Sequence, residues 1–535
     1  MLKILFFLIL IIFGLGYLFY GKFLEKSYGV KEDEKVPSKT NFDGIDFVPT
    51  NKFILLGHHF SSIAGAGPIV GPIIAGIAYG WLPGILWIVL GTIFIGGLHD
   101  FSSLIASIRN KGKSIGEVAK IYMGESVYKI FLLFIWFSLV YVIAVFTDLA
   151  ATTFAKEPPV AQVNVGYILI ALIFGLSLYK LKIRLPLATL FFLFLIGIII
   201  IFSLKNSFIF LTREAWIWIL IIYCFFASIL PVWILLQPRD YLSSFLLYSI
   251  LVIGILGVFF GDYTISYPVF LSFNSQIGPF FPFLFITIAC GAISGFHSLV
   301  SSGTTSKQLD NIKNAKIVAY GGMVLEGIVA TIALITVMII SENLAKSVKL
   351  PTDIFSFGIS KFVALIGIDP KIGLIYGYLV ISAFILTTLD TATRISRYVL
   401  QELMNLPISD FRARVFTTLA TLILPVILLH LKFYAPDGTL IPAWKIIWPL
   451  FGSTNQLLAA LVLLTIYVWA RNTKPGRYIF ILIPTIFMLI TTLSALIYLV
   501  LGKFKLDIIT LIGFILIILA FYMIIAGAKV FGFNR

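Results

Sequence analysis

GHHFSSIAGAGPIVGPIIAG, residues 57–76, is apolar enough to cross a bilayer yet is interrupted at its middle by Gly65, Gly67 and Pro68. A helix opened inside lipid leaves amides and carbonyls without partners, so such a gap persists only where it lines protein or a water-filled cavity. In membrane proteins that arrangement marks a binding site. A plain kink is the simpler alternative. Pro68 suits the first turn of a second half-helix, which turns the amides of Ile69, Val70 and Gly71 toward the gap. With the positive end of the helix dipole they suit a small anion such as a carboxylate. Ser61, Ser62, Gly65, Gly67, Ile69 and Val70 are therefore expected to line a substrate site.

Composition places the rest of the chain in lipid. Of 535 residues 60% are hydrophobic and 12% charged, and the mean hydropathy is +1.05, outside the range of a water-soluble domain. Runs near twenty apolar residues predict fifteen spans: 2–20, 57–79, 84–108, 129–154, 165–179, 186–204, 215–236, 245–261, 281–302, 317–341, 372–393, 415–430, 446–470, 479–500 and 508–531. Alternating the connections puts 27 of the 39 Lys and Arg on one side, which leaves 12 for the other. That bias predicts an inner-membrane protein with its N-terminus outside and its C-terminus in the cytoplasm. The net charge of +15 is then a topology signal and an attraction to anionic lipid, and nucleic acid is excluded as a partner. Cys224 and Cys290 lie in apolar runs and read as small hydrophobes, with no metal site expected.

The 2–20 segment is expected to be an anchor and 21–56, with six Lys and six acids, a solvated cytoplasmic linker. The stretch 351–367 is expected to lie as an amphipathic helix at the outer interface. Two five-helix blocks, 57–204 and 215–400, each open with a helix carrying a breaker, GAGP at 65–68 and SILP at 228–231, with QPRD at 237–240 closing the second. Five being odd, the blocks are inverted, a transporter arrangement. Residues 411–535 form a four-helix scaffold, available as a homodimer contact.

Four acids fall inside spans: Asp100, Asp148, Glu326 and Asp390. A bare charge at mid-bilayer costs about 3 kcal/mol or more, so each must be paired, protonated or wet. His99 beside Asp100 can pass a proton or tie helices together, and Glu326 has the same two readings. Asp148 is close enough to the outer end to reach water, and Asp390 can pair with Arg394 four residues on. Ser294, His297, Ser298, Ser301 and Ser302 make a polar stripe that suits a cavity wall, the alternative being serines bonded within their own helix. Ser298, Ser301 and Ser302 with the carbonyl of Ala64 are the candidate sodium ligands. Tyr141, Ser228, Trp233 and His297 supply the facing walls of the substrate site. HExxH, Walker, GxSxG and CxxC patterns are absent, so no enzyme or cofactor is expected.

GHHFSSIAGAGPIVGP (57–72), GGLHDFSSLIASIRNKGKSIGEVA (96–119), QPRDYLSSFLL (237–247), GAISGFHSLVSSGTTSKQL (291–309) and WPLFGSTNQLLAAL (448–461) resemble the signature blocks of the carbon starvation protein A family. The resemblance implies an all-α membrane fold with a LeuT-type five-plus-five inverted repeat and added N- and C-terminal helices. It further implies a transporter of pyruvate or short peptides, with pyruvate uptake coupled to protons. Position and polarity, not the resemblance, point to His99, Asp100 and Glu326 as the proton-coupling residues of an alternating-access cycle, with sodium as the alternative ion.

Overall fold

The computed structural model describes residues 1–348, 350–434, 440–446, 448–473, 476, 478–501 and 508–532. Lys474, Arg477 and Arg535, which belong to the basic side counted above, lie outside them. Fifteen segments run in the expected order. They are α1 (Leu2–Tyr28), α2 (Lys52–Ala64 and Gly67–Tyr79), α3 (Trp81–Arg109), α4 (Glu125–Lys156), α5 (Pro158–Tyr179), α6 (Leu185–Lys205), α7 (Arg213–Ile229) and α8 (Leu236–Phe260). There follow α9 (Phe280–Thr287 and Gly295–Gly303), α10 (Ile312–Met338), α11 (Pro370–Leu403), α12 (Phe411–His430), α13 (Trp448–Thr473), α14 (Ile479–Leu501) and α15 (Ile508–Gly532). Thirteen are long and apolar enough to cross a membrane, while α7 has only 17 residues and α9 is interrupted.

Polar side chains start these helices where the sequence supplies them. Asn51 accepts from the Phe53 amide at 2.9 Å, Asp369 from Lys371 at 2.8 Å and Asp410 from Ala413 at 3.0 Å. Each such cap stabilises its helix by about 1 kcal/mol. Burial then sorts centre from rim. In α10 and α13, 83% of the most apolar stretch is buried, against 28% in α1 and α6, where Phe7, Leu15, Phe19, Leu190 and Phe194 face outward. The first half of α2 packs on α8 and the second on α10, α4 lies along α11, and the second half of α9 packs between α3 and α13.

One order of elements occurs twice. A broken helix, a helix with a π-turn, a short connecting helical segment, a helix of more than thirty residues, a short helix and a longer one occupy α2, α3, Ile115–Met123, α4, α7 and α8. The same order runs through α9, α10, Glu342–Ser347 with Pro351–Ala364, α11, α12 and α13. The α5–α6 hairpin sits within the first series without a counterpart. A π-turn leaves the regular carbonyl ladder, and here one phenol serves two of them: Tyr320 donates to Gly16 O at 3.3 Å and Ile93 O at 3.0 Å, docking α1 on the core.

Three expectations are corrected. SILP does not interrupt a helix, because α7 ends at Ile229 and the chain turns before α8, with QPRD in the buried first turn of α8. The second break lies instead in α9, at 288–294. Pro351–Ala364 turns its apolar face onto protein, since Ile354, Phe355, Ile359 and Phe362 are buried and Gly257 and Gly358 allow α8 and α10 to approach it closely.

The third concerns residues 29–51, which are a packed strap. Asp43 Oδ1 accepts from the amides of Ile45, Asp46 and Phe47 at 2.8–2.9 Å, a turn that presents Asp46 inward. Buried Asp46 pairs with Arg394 at 2.7 Å and Arg397 at 3.3 Å. The amides of Val48 and Thr50 donate to Lys307 O and Gln308 O, and Val232 donates to Ile45 O at 3.0 Å. Composition pointed to solvent, but the strap's partners are supplied by other elements.

Candidate functional site

Both interrupted helices meet face to face. In α2 the break is held by Gly65, whose φ of +46° and ψ of −155° suit glycine, and a Cβ there would come within 3.0 Å of Thr388 Oγ1. Gly67 opens the second half, and a side chain on it would overlap Cys290 in the α9 break. Gly71 lies against the Thr287 carbonyl and Gly291 against Pro68 and Pro72. Small residues thus bring two unwound main chains together at the centre of the bundle.

The backbone freed in α9 is satisfied by neighbouring side chains, as a nonpolar surrounding requires. Trp87 donates to Ile288 O at 3.1 Å, Thr92 to Gly291 O at 3.0 Å and Gln456 to Ile293 O at 3.0 Å. Asn455 Oδ1 accepts from the Phe296 amide at 3.2 Å, capping the second half-helix. In α2 the amides of Ile69 and Val70 do not face the gap as expected. Both turn back onto Ala66 O, at 3.2 and 3.0 Å, so the first-turn amide of Gly67 is the donor left ahead of the helical ladder.

Beside the junction lies a chain of buried titratable groups. His99 Nδ1 is 3.0 Å from Asp100 Oδ1, Asp100 Oδ2 is 3.1 Å from His297 Nδ1, and His297 Nε2 is 3.3 Å from Glu326 Oε2. All four side chains are fully buried. Three helices, α3, α9 and α10, are linked through them, and the carboxylates face imidazoles that can carry or release a proton. His59 on α2 bonds Thr305 at 2.8 Å on another side. His58 turns the opposite way to Asp240 at 2.6 Å, which adjoins Arg239 and Asp390.

The remaining predicted residues separate. Ser61 donates to Asp240 O and Ser62 pairs with Thr391 at 3.2 Å, tying α2 to α8 and α11, and Thr388 donates to Ser62 O at 3.1 Å. Tyr141 donates to Trp444 O at 3.0 Å and is part-exposed. Ser228 is not at the gap, since it bonds Thr418 at the α7–α12 contact, and Trp233 bonds Gly44 O of the strap. Ser298 and Ser302 donate to Gly295 O and Ser298 O of their own helix, Ser301 has no partner among the described residues, and Ala64 is buried at the end of its half-helix. Asp390 pairs with Arg239 and accepts from Tyr223 at 2.5 Å, while Arg394 turns to Asp46; the two do not pair with each other. Asp148 is buried against Arg213, its Oδ1 2.6 Å from Nε, and so does not need water. Cys290, Asp240, Asn455 and Gln456 were not foreseen. Asn455 and Gln456 lie in the quoted 448–461 block, which was the available signal.

The sequence profile described as carbon starvation protein CstA matches residues 2–356 and 346–495. The chain belongs to this family. The match includes α1 and the strap, so these are family elements of this CstA-family chain. It is 34% identical to the peptide transporter CstA of Helicobacter pylori over 91% of the chain and 80% of that protein. It is 32% identical to the peptide transporter CstA of Escherichia coli, over 90% and 79%. To the pyruvate/proton symporter BtsT of Escherichia coli it is 30% identical, over 91% and 80%. Among solved structures it is similar to MhsT in complex with L-phenylalanine, with a TM-score of 0.52 and 14% identity over 84% of this chain and 99% of that one. This CstA-family chain is a multi-pass membrane transporter with a LeuT-type core.

Proposed function

We propose that the chain imports a small carboxylate such as pyruvate, or short peptides, by alternating access coupled to a proton gradient. The observation that carries this reading is the buried run His99, Asp100, His297 and Glu326 alongside the two facing breaks. An anionic group at Gly65–Gly67 would meet the dipole of the second α2 half-helix and the Gly67 amide. Proton movement along the run would change the charge of the wall that joins α3, α9 and α10. The names of the relatives, peptide transporter and pyruvate/proton symporter, agree with both substrate classes. We read the two element series as the inverted repeats, α2–α4 with α7–α8 and α9–α13, with α5–α6 inserted. That division replaces 57–204 and 215–400 because the second break is in α9. The strap face is then cytoplasmic and the N-terminus outside.

Sodium coupling is the second reading, favoured by one contact set: the Thr388 hydroxyl meets the Ser62 carbonyl beside Gly65, and Thr391 meets the Ser62 hydroxyl. Uptake of labelled pyruvate and of a labelled dipeptide into proteoliposomes, under separately imposed proton and sodium gradients, tests both. Accumulation driven by the proton gradient alone supports the first reading. Accumulation driven only by sodium, or none of either substrate, overturns it.

A further inference from the structure

The α9 break places a thiol next to the histidine and the carboxylate that end the buried run. Ligand atoms of Cys290, His297 and Glu326 all lie within 4.8 Å of one another. Asp100 occupies His297 Nδ1, which leaves Nε2 directed at Glu326, 3.3 Å away. Nε2 and Glu326 Oε2 face each other as an ion pair, and Glu326 Oε1 makes no hydrogen bond among the described residues, although both side chains are fully buried. A buried carboxylate oxygen without a hydrogen bond is costly, and a cation that accepts lone pairs from this carboxylate and the facing imidazole relieves that cost.

The geometry selects the ligand. In tetrahedral zinc coordination, bonds of about 2.0–2.3 Å put neighbouring ligand atoms roughly 3.3–3.6 Å apart. The imidazole and carboxylate already sit at that separation. The sulfur needs to approach by about 1 Å from the upper limit of its distance, and it belongs to a stretch that is not helical. A thiolate, an imidazole and one carboxylate favour a soft divalent ion over sodium, magnesium or calcium. The carboxylate on the far imidazole nitrogen is the usual outer partner of a metal-bound histidine and fixes its tautomer. Cys290 is part-exposed, so the site has a way in.

We propose that Cys290, His297 and Glu326 bind one zinc-class divalent cation, with Asp100 positioning His297. The ion would tie the α9 break to α10 and occupy the end of the titratable run. The proposal goes beyond the proton reading and does not depend on it.

Titration of the purified full-length chain with cobalt(II), followed by absorption spectroscopy, tests it without any transport assay. Expected are one cobalt per chain and a thiolate-to-cobalt charge-transfer band. That band is lost in Cys290→Ala and kept in Cys224→Ser, and affinity falls at least tenfold in Glu326→Gln. Size-exclusion profiles identical to the parent certify that each variant is folded. Absence of the band in the parent at saturating cobalt, or its persistence in Cys290→Ala, overturns the proposal. If Cys290→Ala does not fold, N-ethylmaleimide blocking of the parent's Cys290 must abolish the band, and an unchanged band overturns it equally.

Discussion

Asp46→Asn removes the carboxylate that pairs with Arg394 and Arg397 beneath the strap, where Lys307 also lies buried. Asparagine keeps the shape and an acceptor but leaves the guanidinium charges uncompensated in a buried site. Removing one partner of a buried pair costs about 3–5 kcal/mol. When the strap lifts, these charges regain water, so the penalty falls on the closed form. At about 1.4 kcal/mol per tenfold, 3 kcal/mol raises the open population by over a hundredfold. The amides of Val48 and Thr50, bonded to Lys307 O and Gln308 O, report that opening directly. Hydrogen exchange of peptides covering 41–52, measured by mass spectrometry in nanodiscs, is expected to accelerate by that factor while the protection of α10 stays unchanged. Exchange within twofold of the parent would refute the reasoning that the Asp46 ion pairs hold the strap in place. The pH dependence has a definite sign. Burial pushes the Asp46 carboxyl up, but Arg397, Arg394 and Lys307 outweigh it and hold it well below the ordinary range. A depressed carboxyl contributes its stability above the unfolded value of about 3.9 and loses it only as pH falls toward the folded one. Strap protection attributable to Asp46 is thus flat between about pH 5 and 8.

Gly67→Ala puts a methyl onto Cys290 and is expected to reduce uptake at least tenfold, with partial recovery in Gly67→Ala/Cys290→Gly; full activity of the single variant would remove the contact between the two breaks from the mechanism. Asp100→Asn leaves His99 and His297 without their shared carboxylate and should lower proton-driven uptake at least tenfold while expression is retained, measured in proteoliposomes. Gln456→Ala orphans the Ile293 carbonyl at a cost of about 1–3 kcal/mol, read as a lower melting temperature in a thiol-independent thermal assay. The same assay should show no change for Ser228→Ala beyond about 1 kcal/mol, since only one hydroxyl contact to Thr418 is lost.

What the linear chain determined was whatever depends on near neighbours. Hydropathy set the order of fifteen segments, Gly65 and Pro68 marked the first break, and HD at 99–100 with Glu326 marked acids that lipid would not tolerate bare. Tertiary structure alone decided which charges answer which. Asp390 could have met Arg394 one turn away but met Arg239, because the two helices bring their faces together and Arg394 is drawn to a strap residue nearly 350 positions earlier. Cys290 read as a hydrophobe in an apolar run and became a candidate ligand only when the α9 break carried it to His297 and Glu326. The strap read as solvated because composition counts charges without their partners. Hydropathy and glycine geometry act within a few residues, whereas ion pairs and ligand sets are completed by groups hundreds of residues apart, so they exist only once the helices have packed.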